Sequence, residues 1–124
     1  DIHAAAAASS EALGHIEPMS RGALNWLITI PADGSVALDG AAPALIEWHT
    51  DGHPAAKLED KGLSLAKLDI VHPDPDRVSR LLDSLKLDAP VSVLPATLGA
   101  SARLVAHIHT PQGVRVLSAP STST

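Results

Sequence analysis

Leu68-Asp69-Ile70-Val71-His72-Pro73-Asp74-Pro75-Asp76-Arg77-Val78 carries the chain from a strand into a helix. Residues 65 to 71 alternate: Ala66, Leu68 and Ile70 form an apolar face, and Lys67 and Asp69 form the opposite one. That is the period-two pattern of a strand. Asp74 is a natural helix cap, Pro75 suits the first helical position, and Asp76 places an acid in the first turn. Val78, Leu81, Leu82 and Leu85 follow at helical spacing. Downstream, residues 91 to 95 read as a short strand ended by Pro95. Residues 102 to 109 alternate again, with Ala102, Leu104, Ala106 and Ile108 on one face and Arg103, Val105, His107 and His109 on the other. The turn Thr110-Pro111-Gln112-Gly113 leads to a last strand at 114 to 117. The order from 65 to 117 is therefore strand, helix, strand, strand, strand.

Upstream, residues 2 to 13 are alanine-rich and predict a helix stopped by Gly14. Residues 15 to 22 are irregular or a short strand around Pro18. Residues 23 to 30 predict a strand with Leu24, Trp26, Ile28 and Ile30 on one face. Residues 44 to 49 predict another, with Leu45, Glu47 and His49 on one face and Ala44, Ile46 and Trp48 on the other. This is the downstream pattern without its first strand. The expected fold is α+β, built from two βαβββ modules of which the first lacks its first strand. The expected divisions are 1–49 (incomplete module), 50–62 (linker), 63–118 (complete module) and 119–124 (flexible tail). A deleted first strand would leave a sheet edge and a helix face uncovered. Either a missing N-terminal segment or a homo-oligomer partner is expected to cover them.

Composition narrows the function. The net charge of −5 disfavours a phosphate-backbone binder, so no nucleic-acid partner is expected. The absence of cysteine removes disulfides, thiolate metal sites and cysteine nucleophiles. No apolar run reaches the roughly 20 residues that span a bilayer, and the opening alanines lack the flanks of a signal peptide. The expectation is a cytoplasmic protein without membrane contact. With only two Trp, no Phe and no Tyr, the core rests on aliphatic side chains.

Several local stretches are similar to known sequences. They are Ser20-Arg21, Leu24-Asn25-Trp26, Pro43-Ala44-Leu45-Ile46-Glu47-Trp48, His53-Pro54, the Leu68–Val78 stretch and the Thr110–Gly113 turn. In that order and spacing, over about Ile2 to Leu117, the chain resembles the glyoxalase-like domain branch of the vicinal oxygen chelate superfamily. The resemblance implies a sheet-lined cup that holds a divalent metal, bound by a His from each module's first strand and a Glu from its last. It also implies that the chain is a C-terminal portion. Lys67 fills the His position of the last module, and Val116 or Leu117 stands where the Glu would be. Glu47 keeps a ligand-type residue in place.

Glu47 is thus the candidate catalytic base or metal ligand. His109, from the His107-x-His109 pair, is a second metal candidate. Arg21, Lys67, Asp69, Arg103 and His107 are candidate contacts for an anionic ligand, guanidinium and ammonium being suited to carboxylates and phosphates. Lys67 and Asp69 also suit a local ion pair, and His72 before Pro73 suits a structural role. The expected function is binding of a small polar or anionic metabolite in the cup, with metal-assisted lyase, isomerase or dioxygenase-type chemistry. The alternatives are a metal-free binding module and a non-catalytic half that serves assembly.

Overall fold

The structure is a computed structural model and describes residues 1–119. The predicted tail beyond residue 119 lies outside them. Among the described residues, no helix is long and apolar enough to cross a membrane.

The first helix, α1 (Ile2–Ala8), is capped by Asp1, whose carboxylate accepts from the amides of His3 at 2.7 Å and Ala4 at 3.3 Å. It ends five residues short of residue 13, the predicted last helical position. Ser9 turns extended, and its hydroxyl donates to the Glu11 carbonyl at 2.8 Å, a local bond that competes with helix continuation. Leu13 is thereby delivered into the core, 7% exposed.

Strands β1 (His15–Arg21), β2 (Leu24–Ile30) and β3 (Ile46–Trp48) form an antiparallel sheet in that order. The region around Pro18 is a full seven-residue strand. Proline is tolerated there because β1 lies at an edge, where an amide is not needed on both sides. Trp26 and Trp48 face each other across the β2–β3 pair, with ring centroids 5.2 Å apart. The third strand is shorter than the predicted 44–49 span. Its pairing continues irregularly: Thr29 donates its amide to the Leu45 carbonyl at 3.0 Å, and His49 donates to the Asn25 carbonyl at 2.8 Å. The predicted linker contains a short 3-10 turn, Pro54–Lys57.

The deciding stretch folds as read. Strand β4 (Ser64–His72) leads into α2 (Pro75–Ser84), followed by β5 (Val91–Pro95), β6 (Arg103–Thr110) and β7 (Gly113–Ser118). The Asp74 carboxylate accepts from the Arg77 amide at 3.2 Å, as an N-cap does. The sheet order is β5-β4-β6-β7, with β5 parallel to β4 and the other pairs antiparallel. The parallel pair requires a crossover, which α2 provides. The molecule is thus α+β, with helix–strand–strand–strand followed by strand–helix–strand–strand–strand. In the first run the strands pair in chain order; in the second, β4 lies between β5 and β6.

Val78 and Leu81 of α2 are fully buried. Val78 packs with Ile70 and Ala41, flanked by Val91 and Val93. Leu81 packs with Leu13 and Ala42, so α2 joins the first run of elements to the second. A clasp reinforces this joint: the Arg77 guanidinium grips the Glu11 carboxylate through two bonds, one of 2.8 Å from Nη2 to Oε2. His72, buried at the end of β4, ties the same region together. Its Nε2 lies 3.1 Å from the Leu38 carbonyl, and its Nδ1 accepts from the Asp74 amide at 2.9 Å.

Candidate functional site

The β4–β6 pairing carries a register shift between Leu65 and Lys67. Leu65 stands opposite Ile108, yet Lys67 stands opposite His107, so Ala66 is the extra residue of a bulge. Without that residue the period of two would send Lys67 and His107 to opposite faces. With it, Lys67, Asp69 and His107 share one face, the one turned away from the Ile70–Val78 contact with α2.

Three charges meet there. His107 Nε2 lies 2.8 Å from Asp69 Oδ2, and Lys67 Nζ lies 3.5 Å from Asp69 Oδ1. The Asp69 side chain is only 9% exposed, against 24% for His107 and 49% for Lys67. Asp69 is therefore the buried centre of a cluster, ion-paired with Lys67 on one side and bonded to His107 on the other. Its Oδ1 is buried without a hydrogen-bond partner among the described residues. The His107 hydrogen bond, helped by the Lys67 charge, holds the Asp69 carboxyl below its usual range against the opposing effect of burial. An ionised Asp69 accepts only, so His107 donates through Nε2–H, and in the neutral ring the lone pair then lies on Nδ1.

Glu47 sits elsewhere, on β3. Its Oε1 lies 2.7 Å from His49 Nε2, and its Oε2 accepts from the Ile2 amide at 2.7 Å. The His49 bond and then the Ile2 amide hold its carboxyl below the usual range. The sequence signal for this pair is that His49 and Glu47 stand two residues apart on one predicted strand face. Arg21 ends β1 opposite Leu24 and is exposed. Arg103 stands opposite Val71 and borders a cavity of about 140 Å³ with Asp39 and Ala41. His109 stands opposite Ser64 and Val114 on the other sheet from Glu47. The structure thus brings Lys67, Asp69 and His107 together and leaves Glu47, Arg21, Arg103 and His109 outside that cluster.

The donor set for a metal does not assemble here. Among the described residues, no group of three or more His, Cys, Asp or Glu side chains converges on a point where an ion could be held. At the position where the resemblance implies a ligand histidine, the Lys67 ammonium offers no lone pair.

Both carboxylates predict an acid-sensitive fold. Their depressed values mean that the stabilisation is complete above the ordinary values of about 3.9 for Asp and 4.3 for Glu, and is lost as pH falls through the folded-state values. The thermal midpoint is expected to hold between neutrality and about pH 5 and to drop below about pH 4. Asp69→Asn is expected to drop less steeply over the same interval. Melting curves collected from pH 3 to 7 check this, and parallel slopes would refute it.

The fold is α+β, with sheets of three and four strands and a polar cluster on one face of the larger sheet. The model of the glyoxalase-like domain family matches residues 1–86, more than half of the chain, and the chain belongs to that family. The matched span ends just after α2 and so includes Lys67 and Asp69 but not His107. No match is found among the curated proteins or among the solved structures.

Proposed function

We propose that this glyoxalase-like domain binds a small anionic metabolite on the polar face of its four-stranded sheet, with Lys67 as the anion contact and without a metal. The observation that carries this reading is the buried Asp69, bonded to His107 and flanked by the half-exposed Lys67. Lysine presents three donors, and at 3.5 Å from Asp69 it is oriented without being consumed. Its ammonium is free to take a carboxylate. Arg103, further along the same face, supplies a second positive charge. Glu47 acts outside the site, holding the start of α1 to β3.

Titration calorimetry with pyruvate and malonate, in the presence of EDTA, tests the reading. Binding is expected in the wild type and is expected to weaken about tenfold or more in Lys67→Met, the loss of a charge-assisted hydrogen bond. Unchanged affinity in a folded Lys67→Met protein would sink the reading. So would binding that needs an added divalent ion.

A further inference from the structure

The Asp69–His107 pair has a second property that anion binding alone does not use. Resting on the binding reading above, we infer that His107 Nδ1 is a general base, which takes a proton from carbon next to the carbonyl of a small 2-oxo acid held at Lys67.

Four observations support this. Lys67 and His107 are register partners on antiparallel strands. Such residues have Cα atoms about 4.5–5.5 Å apart, so a ligand of a few heavy atoms spans both side chains. The Asp69 carboxylate fixes the imidazole tautomer through Nε2–H, at 2.8 Å, which leaves the Nδ1 lone pair unused among the described residues. The carboxylate is buried, and its second oxygen makes no hydrogen bond among the described residues, the Lys67 ammonium lying 3.5 Å from it. An imidazolium formed during the reaction would stand 2.8 Å from that fixed negative charge. Finally, Lys67 stands beside the same carboxylate and is half exposed, placed to face negative charge that develops on the ligand.

The step balances without a further reagent. The Nδ1 lone pair forms an N–H bond as the substrate C–H bond breaks. The C–H electron pair becomes the carbon–carbon double bond of an enolate, and the carbonyl π pair moves to oxygen as negative charge beside the Lys67 ammonium. Return of the proton to carbon reverses every change, and return of a deuteron from solvent labels the carbon. His107 is the catalytic residue here, and Asp69 is a positioning residue that sets the tautomer and stabilises the imidazolium.

The test is pyruvate in D2O with the full chain, followed by loss of the methyl proton NMR signal, with calorimetry on the same samples. Exchange above the buffer rate is expected in the wild type. It is expected to fall about a hundredfold in both His107→Gln and Asp69→Asn. Calorimetry gives the pyruvate bound by each variant, so the hundredfold fall is read per bound pyruvate. Nitrogen-15 NMR of the wild type gives a readout that needs no variant: the expected state carries the proton on Nε2 of His107. Lys67-dependent binding without exchange overturns the general base and leaves the binding reading standing. Exchange that survives His107→Gln, or a proton resting on Nδ1, does the same. No pyruvate binding overturns both.

Discussion

Gly14→Ala is expected to lose about 3–5 kcal/mol of folding stability, combining the strain of a forced contact with that of the backbone. Gly14 has φ +101, a conformation that side chains rarely adopt. A Cβ built there would lie 2.3 Å from the Ile30 carbonyl carbon and 2.3 Å from the Pro31 nitrogen. Both are backbone atoms, so no side chain can swing aside. Gly14 stands just before His15, which pairs with Ile30 at the end of the β1–β2 ladder. Relief would have to open that ladder. Gly34→Ala is the control: φ is +71, but nothing lies within 4 Å of the added carbon. There only the left-handed backbone is at stake, about 1–2 kcal/mol. Urea denaturation of the two variants separates close approach from backbone preference. Equal losses would refute the steric argument.

Leu81→Ala comes next in size. Leu81 is fully buried and packs against Leu13 and Ala42, with Leu38, Leu45 and Leu85 around them. Truncating a buried leucine costs about 2–5 kcal/mol, through lost transfer energy and the cavity left behind. Small domains have about 5–15 kcal/mol in all, and this core has no Phe or Tyr to add buried area. The neighbours come from segments far apart in sequence, so the cavity opens at the joint between α2 and the 37–45 segment. Leu98→Ala, at a residue wholly in solvent, is expected to stay within about 0.5 kcal/mol of wild type. Urea midpoints by circular dichroism check both. A Leu81→Ala midpoint near that of Leu98→Ala would mean that this contact does not hold the molecule together.

The two predictions mark where local pattern stops. Gly14 was legible as a breaking point of the chain, although α1 already ends at Ala8. Its tight contact with Ile30 and Pro31 was not, because that depends on which strand pairs with which. The Val78–Leu81–Leu82–Leu85 spacing announced the buried face of α2, and Val78 and Leu81 are its two fully buried members. What lies against Leu81 was not announced. Glu11 and Arg77 show the same limit: the ion pair joins residues 66 apart, and nothing in either neighbourhood signals the other.

The amino-acid sequence by itself determined the element order from Ser64 to Ser118, the capped start of α2 and the placement of Lys67 and Asp69 on one strand face. Those features follow from caps and periodicities that act over two to four residues, within one stretch of chain. Only the tertiary structure decided that His107, not Glu47, completes the cluster. The reason is the bulge at Ala66. One extra residue in β4 reverses which side of the sheet faces Lys67 across to β6, and it brings a histidine 38 residues from Asp69 to within 2.8 Å of it. Strand pairing is set by how two distant segments settle against a shared core. No window of sequence contains both of them.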